Sequence, residues 1–136
     1  MPMIPSVFAV AVYATIKVAG YAAFGRGVQR VVAQPIAPLR FGIAKAFIGL
    51  AGGAFYLFLL VPLLHVPPQD TILLYAGAIP VRLAAWSLAI GIFFGYRRQA
   101  ALKVGAVCLG VAWSYALDTI MAGLYRVLPG MQMPFC

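Results

Sequence analysis

The chain has 136 residues, 65% of them hydrophobic and 9% charged, with a formal net charge of +8 and a mean hydropathy of +1.01. A soluble domain of this length needs a polar shell, because much of its surface stays in water, and ten basic plus two acidic residues cannot supply one. The basic residues do not cluster on a soluble module, so soluble enzymes and nucleic-acid binders are poor readings, with no nucleic acid expected as a partner. The apolar excess is expected to face lipid.

Four apolar stretches follow one another along the chain, at residues 4–24, 41–66, 71–96 and 101–125. Each offers the roughly 20 residues that a helix needs to cross hydrocarbon. Lipid provides no partner for an open backbone, so spanning segments are helices or closed barrels. Barrel strands alternate apolar and polar residues, and these stretches do not. The expectation is an all-α, single-domain bundle of four transmembrane helices with short loops.

The first stretch has no basic residues ahead of its apolar run, so it reads as a retained helix rather than a signal peptide. The connection at 25–40 carries Arg26, Arg30 and Arg40 with Gly27, Pro35 and Pro38. Val28, Val31 and Val32 would share one helical side there, with Arg26 and Arg30 on the other. That pattern suits a short segment in the headgroup layer, ended by Pro35, its arginines on lipid phosphates.

The second and third stretches would each reach about 39 Å at 1.5 Å per residue, so tilting or bending must absorb the excess. Pro62 lies near one end of the second. Pro80 lies well inside the third and deprives the Ala76 carbonyl of its usual donor, which predicts a kink. Between them runs the His65-Val66-Pro67-Pro68-Gln69-Asp70 turn, which lacks Lys and Arg.

The third connection carries Arg97 and Arg98, with Lys103 just beyond, and these arginines are also expected at lipid headgroups. Because Lys and Arg accumulate in cytoplasmic loops, the first and third connections are expected in the cytoplasm and both termini outside. The implied location is the inner (cytoplasmic) membrane. Tyr56, Tyr75, Tyr96 and Tyr125 read as interfacial anchors.

Small residues recur at four-residue spacing in Gly49/Gly53, Gly91/Gly95 and Ala106/Gly110, a pattern that lets helices pack closely in lipid. Arg82 and Asp118 lie deep in the third and fourth stretches, where ionisable groups raise a functional question by default. Ser114 and Tyr115 precede Asp118 by about one turn and are expected to hydrogen-bond its oxygens. Lys17 and Lys45 also fall within spans, but their long stems are expected to snorkel outward.

Catalytic and cofactor templates are missing: no Ser/His/acid set, paired carboxylates, H-E-x-x-H or P-loop occurs. One histidine and two separated cysteines indicate no haem, metal site or dithiol relay. The chain contains no Asn, no Glu in its first helix and no paired cysteines, which argues against fluoride channels, small multidrug exporters and disulfide-forming oxidoreductases respectively. Two functional classes remain. One is a non-catalytic subunit or scaffold, packed against lipids and either other transmembrane subunits or copies of itself. The other is a small oligomeric transporter or channel, with Arg82 and Asp118 as its polar site.

Overall fold

The computed structural model describes residues 7–67, 69–95 and 99–127, and the regular structure among them is helical throughout. Four helices are long and apolar enough to cross a membrane: α1 (Val7–Val32), α2 (Pro38–Leu63), α3 (Thr71–Phe94) and α4, whose apolar span Ala100–Leu124 lies within a helix running Ala100–Val127. Short connections make successive helices antiparallel neighbours. α1 packs on α2, α2 on α3 and α3 on α4, and a looser α1–α4 contact closes the ring.

The termini of these helices follow from local chemistry. α1 does not stop at Phe24 but carries on through Arg26 and Arg30 to Val32. The segment expected to lie separately in the headgroup layer is therefore the last turns of α1. Val28 and Val32 are buried against the bundle while Val31 is exposed. Ala33, at φ 52°, ends the helix, and Pro35 prevents its continuation. α2 opens with Pro38, a residue suited to a position whose N–H has no intrahelical partner. α3 opens on Asp70, whose carboxylate accepts the Leu73 N–H at 3.0 Å.

Pro80, expected to kink its helix, and Pro62 both sit beside a distortion. Before Pro62, residues Tyr56–Leu60 form a π turn, and the Val61 N–H reaches back to the Tyr56 carbonyl. The wider turn relieves the clash of the Pro62 ring with the preceding turn. α3 is interrupted at Ala78 (φ −76°, ψ −14°), separating Thr71–Gly77 from Ile79–Phe94. Pro80 follows two residues later and has no N–H to offer the Ala76 carbonyl.

Gly95 closes α3 at φ 66° and ψ 174°, a region essentially restricted to glycine. A Cβ there would meet nothing within 4 Å. Within the bundle Gly95 serves the backbone, and no neighbour in the described residues uses the room its missing Cβ leaves. Lys103, from the next helix, donates to the Phe94 carbonyl at 2.8 Å, placing a cation at the C-terminal end of the α3 dipole.

A close helix approach is made at a glycine outside the pairs named above. A Cβ at Gly42 would stand 2.5 Å from the Val18 carbonyl oxygen and 3.0 Å from the Ala22 nitrogen, so α2 rests on the backbone of α1. Of the expected packing residues, Gly110 does accommodate a neighbour, since its Cβ would fall 2.5 Å from the Trp86 ring. Gly49 and Gly53 instead line an interior cavity. Ala106 is partly buried against the core, and Gly91 is half-buried and supplies the carbonyl that accepts the Gly95 N–H.

Trp86 is the hub of the interior and is fully buried. Tyr21 and Phe24 meet its ring edge-on at 5.6 and 4.8 Å, with Phe41 at 6.2 Å. Large side chains point the other way as well: Phe47, Phe58 and Ile72 are 68%, 82% and 83% exposed. In water so many large apolar groups outside would be untenable; against lipid they are the expected outer face.

Candidate functional site

Asp118 sits on α4 in phase with Ser114 and Met121, both buried, so it faces the bundle. Arg82 enters from α3, its Nη2 donating to Asp118 Oδ2 at 2.6 Å. Sequence depth alone had brought these two levels together. It had not brought in Lys17, whose ammonium donates to the second oxygen, Oδ1, from α1. The carboxylate thus ties three helices, and all three side chains are nearly dry at 3%, 12% and 13% exposure for Lys17, Arg82 and Asp118.

The expected outward reach of Lys17 and Lys45 is therefore corrected, for each is only 2% exposed. Lys17 lies in a buried α1 stripe with Tyr21, Gly25, Val28 and Val32. Lys45 lies in the buried α2 stripe with Phe41 and Gly42. Snorkelling requires a stem that leaves the core tangentially, and neither helix face permits it. Lys45 Nζ rests 4.7 Å from the Trp86 ring centroid and 4.9 Å from that of Tyr21. Such desolvated cation–π contacts contribute about 2 kcal/mol each, against an effective burial penalty of several kcal/mol per ion.

Ser114 and Tyr115 stand next to the cluster without bonding Asp118, which corrects their expected role. The Ser114 hydroxyl accepts the Trp86 indole N–H at 2.8 Å. The Tyr115 hydroxyl donates to the Tyr75 carbonyl at 2.7 Å, and its ring carries the Arg82 guanidinium at 4.3 Å. Spacing of one turn set these residues beside Asp118, but the Ser114 oxygen is turned to Trp86 and the Tyr115 proton to the Tyr75 carbonyl. Tyr56, expected as an interfacial anchor, is buried in the bundle and donates to the Leu74 carbonyl at 2.8 Å, one turn before the break in α3. The expectations for Tyr96, Arg97 and Arg98, and for the side chain of Tyr125, lie outside the described residues. Arg26 and Arg30 are exposed near the end of α1.

Beside this cluster lies a partly enclosed cavity of about 40 Å³, walled by Lys45, Arg82, Ser114, Tyr21 and Tyr56 and opened by Gly49, Gly52 and Gly53. Lys45 and Arg82 bring basic side chains to its wall, and Arg82 shares the Asp118 carboxylate with Lys17. The chain's other carboxylate, Asp70, is committed to the exposed start of α3.

A second, larger hollow of about 710 Å³ runs between α1 and α4. Phe24, Val31, Leu102 and Trp113 line it with Gly27 and Gly105, at both of which a Cβ would meet open space. Among the described residues no group of three or more His, Cys, Asp or Glu side chains is placed to hold a metal ion.

Fold and site together define a multi-pass helical membrane protein built around a buried ionic centre. Neither a known protein family, nor a curated protein, nor a solved structure matches the chain, so its function is argued from geometry.

Proposed function

We propose that the chain is a non-catalytic subunit of a membrane assembly, seated in the inner (cytoplasmic) membrane. The observation that carries this reading is the closure of Asp118, which is bonded through both oxygens by Lys17 and Arg82. A proton or cation relay needs a carboxylate able to exchange its partner. Asp118 is instead the knot of α1, α3 and α4, and its charge serves assembly of the bundle. The apolar hollow between α1 and α4 supports the reading, because open glycines on a loose helix contact suit an incoming transmembrane helix.

Charge distribution sets the orientation in this proposal. Arg26, Arg30, Arg40, Arg97, Arg98 and Lys103 belong to the end at which α1 and α3 finish, whereas the turn at 64–70 has no Lys or Arg. That end is cytoplasmic by the positive-inside rule, with both termini on the opposite side. Exposed Arg26 and Arg30 then meet lipid phosphates.

Native mass spectrometry after extraction in mild detergent, with cross-linking, tests the subunit reading. The expected result is a stoichiometric complex with other spans or with further copies. Gly27→Leu or Gly105→Leu should release it while leaving the melting of the chain itself unchanged. A second reading, an oligomeric transporter or channel centred on Arg82 and Asp118, is favoured by the cavity at the Arg82 guanidinium. Ion flux in vesicles reconstituted with this chain alone, lost in a stably folded Asp118→Asn protein, would establish that reading in place of the first.

A further inference from the structure

Burial divides the hairpin of α2 and α3 into two unlike halves. One half is packed at helical spacing, by Phe41, Gly42 and Lys45 on α2 and by Ala85, Trp86, Ala89, Ile90 and Phe94 on α3. Between Lys45 and Ala85, by contrast, the buried residues among those described are Tyr56 and Leu74 alone. These two are joined to each other, the Tyr56 hydroxyl donating to the Leu74 carbonyl. Gly77 makes room for that bond, since a Cβ there would run into the same hydroxyl.

The segment Thr71–Gly77 belongs wholly to the sparsely packed half and is set off from the rest of α3 by the break at Ala78. An interruption of this kind is where a helix absorbs a change of direction, and a segment with few buried contacts opens at low cost. Two hydroxyls from two other helices hold it down: Tyr56 of α2 on the Leu74 carbonyl and Tyr115 of α4 on the Tyr75 carbonyl. Beneath it lies the small cavity, where Leu74, Tyr75 and Ala78 face Arg82, Ala85 and Ser114. We propose that Thr71–Gly77 is a hinged strap over this cavity, latched by the hydroxyls of Tyr56 and Tyr115, and that its lifting opens the Arg82–Asp118 site toward the end of the bundle that carries the 64–70 turn. The latch and the site share a residue, because the Tyr115 ring also carries the Arg82 guanidinium. The strap goes beyond the subunit reading and does not depend on it.

A thiol probe tests the strap in the purified full chain, in a Cys108→Ser, Cys136→Ser background. Placed by Ala85→Cys, the probe lies at the cavity wall and is buried while the strap is closed. A water-soluble methanethiosulfonate reaches it when the strap lifts, so the labelling rate follows the open population. Tyr115→Phe and Tyr56→Phe should each raise that rate roughly fivefold, the worth of one lost hydrogen bond. A control probe placed by Ala89→Cys, in the packed half beside Trp86, should stay protected throughout. Equal acceleration at both probes would mean general loosening and would overturn the strap, as would a probe at Ala85 indifferent to both tyrosine variants. If neither tyrosine variant folds, hydrogen exchange of the native chain decides. Amides of residues 74–78 that open together, well ahead of those of residues 86–90, sustain the proposal, and matched protection ends it.

Discussion

Lys17 and Asp118 stand 101 positions apart in the chain and bond directly, the ammonium of the first spanning helix to the carboxylate of the last. The contact closes the ring of helices where packing between them is loosest. Because Arg82 holds the other oxygen at 2.6 Å, Asp118 serves two cations at once, and its loss should be felt on three helices.

Asp118→Asn should destabilise the bundle by about 3–5 kcal/mol, the usual consequence of stranding buried charge. Adding Arg82→Gln should recover part of that loss, and adding Lys17→Met should recover more, because each removes a cation left behind. Reversible unfolding of the single, double and triple variants measures this. Strictly additive losses would show that the three residues do not act together.

Ser114→Ala leaves the Trp86 indole N–H buried without an acceptor and should cost about 1–3 kcal/mol. Trp86→Phe removes the donor, so its combination with Ser114→Ala should be less damaging than the two separate losses suggest. Tryptophan fluorescence, with Trp113→Phe as background, follows the same event through Trp86.

Glycine substitutions separate two different uses of the residue. Gly42→Ala places a Cβ against the α1 backbone and should weaken the α1–α2 contact, by about 1–3 kcal/mol as an overpacked site. Gly95→Ala meets no neighbour but must hold φ 66° and ψ 174°, at a backbone cost of about 1–3 kcal/mol. Replacing Gly27 by Ala should leave melting unchanged, since its Cβ enters open space.

Topology is checked with single-cysteine probes in intact cells. A membrane-impermeant thiol reagent should modify a probe at Gln69 and the native Cys136, while a probe at Gln99 stays protected until the membrane is opened. The reverse pattern would turn the molecule over.

The spans were legible because hydropathy over about 20 residues is a strong signal, yet their ends were not. The apolar run stops at Arg26, but the helix follows its buried face, from Tyr21 through Gly25 and Val28 to Val32, and ignores the charges on the other side. The same face explains Lys17. Depth in the membrane suggested an escape to the headgroups, whereas the four-residue step from Lys17 to Tyr21 and Gly25 already put it on the inner stripe. Arg82 and Asp118 could be paired by counting residues from the helix ends. The Trp86–Ser114 bond could not, because it depends on how α3 and α4 are rotated about their axes, which no single helix encodes. Gly42 escaped notice although Ala46 stands four residues on, because its value lies in Val18 and Ala22 on another helix.

The Lys17–Asp118 contact also sets an order of events during synthesis. At about 5–20 residues per second, the ribosome makes Asp118 roughly 5–20 s after Lys17. Throughout that interval α1 must enter the bilayer carrying a lysine whose carboxylate does not yet exist. An isolated lysine at a span's centre costs ~2.5–3.5 kcal/mol on insertion scales, so the early hairpin is expected to wait near the headgroups or inside the insertion machinery and to reach its final depth only when the last helix arrives. A nascent chain arrested before Asp118 emerges should therefore be extractable by alkali, and one arrested well after it should not.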